Sequence, residues 1–122
     1  MRPVVVLIVD DDDRNRKLAR DVLGFAGVET LEASSGQEAI VLAGEHLPDL
    51  VLLDLRLPDL DGAEVLRRLQ TMPATAAIPV VALTAVSGAR GTLTAAGFAG
   101  SIEKPFDIEE LPAAVRRHCV GW

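Results

Sequence analysis

The chain has 122 residues, enough for one domain that buries a core without staples. It is 49% hydrophobic and 25% charged, which excludes a disordered chain, and no apolar run approaches the roughly 20 residues of a membrane helix. A net charge of −6 and only 3% aromatic residues argue against a nucleic-acid surface, which would be basic and carry stacking platforms.

The first element is Val4 to Val9, a continuous β-branched and apolar run that ends at an acid. Such a run fits a strand buried on both faces, as in a parallel sheet. The segment before it, Met1-Arg2-Pro3, has no small-residue cleavage site of a secretory signal, and the single cysteine, Cys119, makes neither an internal disulfide nor a thiolate zinc site. A cytoplasmic location is therefore expected, with no membrane and no nucleic-acid partner. Leu18, Val22 and Phe25 then run down one face of a helix that should end at Gly27. Val28 to Ala33 alternates and predicts a weaker strand near an edge. Ala39, Ile40 and Ala43 mark a second helix, ending before Pro48.

Leu50-Val51-Leu52-Leu53 is the next buried strand, and Val65, Leu66 and Leu69 mark the helix after it. Ile78 to Leu83 is the fourth strand, with Pro79 at its start, where proline is tolerated. Residues 87–97 should hold a helix, but Gly88, Gly91 and two threonines make it a poor one. A short strand over Ala99 to Glu103 precedes a last helix marked by Ile108, Leu111 and Val115, with Asp107 as its expected N-cap. There is no linker or repeat, so the whole chain, 1–122, reads as one domain of five β-α units. That is a doubly wound five-stranded parallel sheet with helices on both faces.

In such sheets ligands sit beyond the carboxyl ends of the strands, at the switch point in strand order. Asp10 and Asp11 follow the first strand, Asp54 ends the third, Thr84 the fourth, and Lys104 follows the fifth. Three carboxylates on one rim raise one another's pKa, and a hard divalent cation with oxygen ligands, Mg²⁺ above all, resolves the conflict. With an ammonium and a hydroxyl beside it, the rim suits a phosphoryl group, and a carboxylate held against that group can attack phosphorus. Taken singly, Thr84 reads as an ordinary strand-end hydroxyl and Lys104 as a solvated cation; their convergence on Asp54 lifts both above that. Asp12 and Asp13 read as loop and N-cap residues, Asp59 and Asp61 as turn and cap residues ahead of the third helix, and His46 and His118 as exposed helix ends.

Four stretches together resemble the receiver domain of two-component response regulators: Ile8-Val9-Asp10-Asp11, Asp54-Leu55-Arg56-Leu57-Pro58-Asp59-Leu60-Asp61-Gly62, Leu83-Thr84-Ala85 and Lys104-Pro105-Phe106. The resemblance covers nearly the whole chain. It implies a flavodoxin-like strand order of 2-1-3-4-5, with Asp54 as the site that accepts a phosphoryl group from a phosphohistidine partner. It implies a Mg²⁺ site from Asp10, Asp11, Asp54 and the backbone carbonyl of Arg56, with Thr84 and Lys104 on the phosphoryl oxygens and a cis bond before Pro105. The partner would be a histidine kinase or a histidine phosphotransfer protein, docking near Arg14, Asn15 and Leu18, with a homodimer also open. The protein would be no enzyme in the usual sense, but a phosphoacceptor that promotes its own phosphotransfer and dephosphorylation.

The sequence departs from the family at three points. Ser101 stands where the family usually has the aromatic member of its switch with the threonine. The stretch from Thr84 to Lys104 is about two residues short. Val86 offers no polar group to a hydrolytic water. Three other readings compete. An aspartate-nucleophile phosphatase of the haloacid dehalogenase type needs an acid two residues after the nucleophile, where Arg56 stands. A flavodoxin-like carrier needs a neutral phosphate loop where Asp10 to Asp13 stand. A pseudo-receiver interaction module would normally lack one of the five rim residues, and all are present.

Overall fold

The computed structural model describes residues 2–119. Ten elements alternate along the chain: β1 (Val5–Val9), α1 (Asp13–Phe25), β2 (Glu29–Ala33), α2 (Gly36–His46), β3 (Leu50–Asp54), α3 (Gly62–Thr71), β4 (Val80–Thr84), α4 (Arg90–Ala95), β5 (Gly100–Glu103) and α5 (Glu110–His118). The strands form one sheet, wholly parallel, in the order β2-β1-β3-β4-β5. β2 lies at an edge, as its alternating pattern predicts, and β3 and β4 are buried along their whole length. Trp122, to which no role is assigned, lies outside the described residues.

Period-two geometry divides the core. Val6, Ile8, Leu50, Leu52, Val81, Leu83 and Ile102 face one side, where Ala19 and Leu23 of α1 and Leu111, Ala114 and Val115 of α5 cover them. Leu7, Val9, Val51, Leu53, Val80 and Ala82 face the other, under Ala39 and Ala43 of α2 and Val65, Leu66 and Leu69 of α3. This two-sided burial is why the central strands read as unbroken apolar runs.

Several expectations need correction. The buried face of α1 is Ala19 and Leu23, while Leu18 is 41% exposed and Phe25 is 97% exposed. A small residue lets the helix axis approach the sheet, and the larger stripe of Leu18, Val22 and Phe25 is rotated toward the α5 side and solvent. Asp107 is not the N-cap of α5. The helix begins at Glu110, after a turn in which the Glu110 N–H donates to the Asp107 carbonyl (3.0 Å) and the Asp107 N–H donates to Glu110 Oε2 (3.0 Å). Ile108 therefore falls in that turn and is exposed. His118 is half-buried, against Gly100 of β5, whereas His46 is exposed as expected. Within 87–97 the helix is short, as its glycines and threonines predict: only the six residues of α4 form it, with no side-chain cap. Asp59 caps a different helix from the one expected: its carboxylate accepts the N–H groups of Gly36 (2.8 Å) and Gln37 (2.9 Å) at the start of α2. Those bonds hold its carboxyl below the usual carboxylate range.

The corrected face of α1 separates two substitutions. Leu23→Ala, at a fully buried site, is expected to cost about 2–5 kcal/mol in urea unfolding. Phe25→Ser should stay within about 0.5 kcal/mol of the parent. A larger loss at Phe25 than at Leu23 would restore the sequence-based face.

Candidate functional site

All five strands run parallel, so every β-to-α connection opens on one rim, and β1 and β3 diverge there into connections that lead to opposite faces. A cleft of about 330 Å³ lies at that point, lined by Asp10, Asp11, Asp12, Asn15, Asp54, Leu55, Arg56, Leu83, Thr84, Ala85, Val86 and Lys104. The rim residues named from the sequence, Asp10, Asp11, Asp54, Arg56, Thr84 and Lys104, all line it.

Lys104 is the centre of the cleft. Its Nζ lies 3.0 Å from Asp10 Oδ2 and 3.1 Å from Asp54 Oδ2, joining β5 to β1 and β3. Asp10 is 1% exposed and Asp54 is 7% exposed, so each carboxylate is removed from water and needs a partner. Asp10 Oδ1 also accepts the Asp12 N–H (2.9 Å), and Asp54 Oδ1 accepts the Arg56 N–H (3.1 Å). Burial raises the pKa of Asp54, against the pull of the Arg56 N–H and Lys104 and with a further push from Asp10. Burial opposes the Lys104 ammonium, but the bonds to Asp10 and Asp54 outweigh it and hold its pKa above the ordinary lysine value.

One carboxylate oxygen from each of Asp10, Asp11 and Asp54 lies within 4.8 Å of the others. Three hard oxygen donors at that spacing fit a small divalent cation such as Mg²⁺, which keeps several waters of its own. The Thr84 hydroxyl oxygen accepts the Val86 N–H (3.0 Å), leaving its proton to be donated elsewhere, and Thr84 is buried at the end of β4. Val86 itself is 54% exposed at the mouth. The loop it begins is tied to β5, because Glu103 accepts from the Gly88 N–H (3.2 Å) and the Ser87 hydroxyl (3.4 Å). The Lys104–Pro105 bond is cis.

Of the other residues singled out, Asp12 and Asn15 also line the cleft, and the rest lie apart from it. Asp12 caps α1 by accepting the Arg14 N–H (2.8 Å), Asp13 pairs with Arg16, and Asp61 caps α3 by accepting the Glu64 N–H (2.8 Å). Arg14 and Leu18 are exposed on α1, and Asn15 and Leu18 border a shallow concavity with Ala85, Pro105 and Phe106 beside the cleft. Ser101 does not line the cleft. It pairs with Ala82 across the sheet and borders a separate concavity with Arg90, Glu110, Arg117 and His118. Arg16 had no distinct role in the sequence, yet its guanidinium donates to the Asp10 carbonyl at 2.7 Å.

Fold and rim together define a doubly wound α/β domain with an acidic cleft at the switch point of its sheet. Residues 6–116 match the response regulator receiver domain, and the chain belongs to that family. It is 36% identical, over 95% of its length and 96% of the relative's, to the polar-differentiation response regulator DivK of Brucella anthropi. Its fold is similar to that of the chemotaxis response regulator CheY4 of Vibrio cholerae, with a TM-score of 0.88 and 27% identity over 95% of this chain and 98% of that one. It is also similar to the receiver domain of a sensor histidine kinase from Pseudomonas aeruginosa, a structure with a magnesium ion coordinated in its active-site cleft; the TM-score is 0.86 at 28% identity, over 96% of this chain and 98% of that one. Two-component phosphorelay signalling is thus the process this domain serves. The phosphatase and pseudo-receiver readings are not favoured. No helix among the described residues is long and apolar enough to cross a membrane.

The buried carboxylate leaves a thermodynamic mark. The Asp54 pKa is raised on folding, so the folded state holds the proton more tightly and loses stability as pH rises through the carboxylate range. Without divalent cations, Asp54→Asn is expected to melt above the parent at pH 7. The gap should close below about pH 4, where carboxylates are protonated in both states. Equal melting temperatures at neutral pH would contradict the burial effect.

Proposed function

We propose that Asp54 is the phosphoacceptor of a Mg²⁺-dependent transfer from a phosphohistidine on a histidine kinase or histidine phosphotransfer protein. The observation that carries this reading is the Lys104 ammonium held between Asp10 and Asp54 in a cleft that also holds Asp11 and the Thr84 hydroxyl. Asp10, Asp11, Asp54 and the Arg56 backbone carbonyl would hold the cation, whose chemistry when bound is to neutralise phosphoryl oxygens and orient them. An Asp54 carboxylate oxygen attacks phosphorus, the P–O bond forms as the P–N bond to the imidazole breaks, and the imidazole nitrogen leaves with its electron pair and takes up a proton. Lys104 moves from its carboxylate partners toward the new phosphoryl group, and Thr84 donates its free hydroxyl proton to another oxygen.

On this reading the domain is a signalling module that promotes its own phosphorylation and dephosphorylation, and not an enzyme acting on a separate substrate. Arg14, Asn15 and Leu18, exposed or half-buried beside the cleft, are the proposed contacts for the phosphodonor protein. The movement of Thr84 would be read out without an aromatic partner, since Ser101 occupies that position on β5. The setting is the cytoplasm, and a second copy of this chain is the other partner of this reading.

The direct test is mass spectrometry after incubation with a small phosphodonor and Mg²⁺. One added phosphoryl group on the Asp54 peptide is expected, and none in Asp54→Asn. Label in that variant at the parental rate would remove the assignment.

The lifetime of the product follows from the mouth of the cleft. In-line hydrolysis needs a positioned water. Val86 can hold none, and the Arg56 guanidinium has no lone pair with which to accept its proton. Decay over minutes or longer is therefore expected once the donor is removed. Val86→Glu should speed it about tenfold, the equivalent of about 1.4 kcal/mol of barrier. A parent half-life of seconds, or an unchanged rate in the variant, would count against it.

A further inference from the structure

We propose that Arg16 is a positioning residue for the cation site, setting the place of the Asp11 carboxylate through the backbone that carries it. The inference rests on the metal reading above and concerns a residue that contacts neither cation nor phosphoryl group.

The three carboxylates of the cleft are held in different ways. Asp10 is fixed by Lys104 and the Asp12 N–H, and Asp54 by Lys104 and the Arg56 N–H. Asp11 is exposed, and among the described residues its carboxylate accepts no hydrogen bond and makes no ion pair. Its position depends on the backbone at Asp10–Asp11, which the Asp10 N–H ties to the Ala33 carbonyl on β2 (3.1 Å) and which two further bonds pin. One is the Asp10 Oδ1 bond to the Asp12 N–H (2.9 Å), just past Asp11. The other is the charge-assisted bond from Arg16 Nη1 to the Asp10 carbonyl (2.7 Å), which fixes the plane of the peptide leading into Asp11.

Arg16 is itself locked. Its side chain is 16% exposed, its Nη2 pairs with Asp13, and its Nε lies 3.5 Å from Glu32 Oε1 on β2. Arg20 holds the other oxygen of Glu32 at 3.1 Å. The guanidinium thus spans the end of β1, the first turn of α1 and the neighbouring strand. It also pairs with Asp13, the one member of the acidic run that does not line the cleft, whereas Asp10, Asp11 and Asp12 do.

The sign of the effect separates positioning from charge. Removing a cation from beside a cluster of carboxylates strengthens their hold on Mg²⁺ if Arg16 acts only through its field. It weakens that hold if Arg16 places Asp11. The experiment is calorimetric titration of the metal-free protein with MgCl₂, with metal-free melting curves to confirm folding. Arg16→Met keeps the packed stem and loses every donor, and should raise the half-saturating Mg²⁺ about tenfold, the low end for loss of an outer-shell partner. Arg16→Lys keeps the charge and a single donor group and should raise it about threefold; it decides the question if Arg16→Met does not fold. Asp11→Ala is the control for the site and should bind no measurable Mg²⁺. Parental or tighter binding in a folded Arg16 variant, with Asp11→Ala silent, overturns the positioning role alone. Parental binding in Asp11→Ala overturns the metal reading and the positioning role together.

Discussion

One ammonium group makes the carboxyl rim of this domain possible. Asp10 and Asp54 are almost wholly withdrawn from water, and two carboxylates in such a place repel each other and lose hydration. The Lys104 Nζ lies about equally close to both, at 3.0 and 3.1 Å, and so converts a repulsive pair into a bridged one. The raised lysine pKa and the raised Asp54 pKa are two sides of that compromise. The cation is bound well enough to stay charged, while the acid remains less willing to ionise than it is in water. A bridge of this kind also ties an edge strand to the middle of the sheet, because Lys104 follows β5 whereas Asp10 and Asp54 follow and end β1 and β3.

The rest of the scaffold exists to bring those groups together. Apart from the pairs Asp10–Asp11 and Asp54–Arg56, none of the rim residues is near another in sequence. The parallel order β2-β1-β3-β4-β5 places the ends of β1, β3 and β4 side by side, and apolar layers on both faces of the sheet fix their heights to one another. Caps then fix the connections. Asp61 starts α3, Asp12 starts α1, and Asp59 fastens the loop after Asp54 to the beginning of α2. Gly62 is needed where that loop returns, since a Cβ there would lie 2.5 Å from Leu55 Cδ2 and 3.0 Å from the Leu55 backbone. The site is therefore held by short-range hydrogen bonds on a frame that hydrophobic packing makes stiff.

The sheet and the cleft were legible in the sequence for the same reason. Strands buried on both faces leave unbroken apolar runs, and the polar residue that ends each run is forced onto the rim. What was not legible depended on volume or on distant partners. Ala19 and Leu23 carry the buried face of α1 although Leu18, Val22 and Phe25 look more apolar, because closeness to the sheet favours the stripe with the small residue. Asp107 has the chemistry of a cap, yet the chain needs a further turn after Pro105 before α5 can lie along the sheet. Asp59 caps a helix that begins 23 residues earlier, and Arg16 reaches back to a carbonyl six residues away. A local pattern carries no trace of such bonds.

The bridged cleft has a consequence for the logic of the signal. Three carboxylates against one ammonium leave it two charges negative, so an incoming phosphoryl dianion meets repulsion from the very group it must approach. A divalent cation, on the proposed reading, brings the formal charge to zero, but by itself it leaves Asp54 unmodified. On that reading donor and cation are both required, and the domain would behave as an AND gate. Chelation would silence it as completely as loss of the kinase, through a wholly different input.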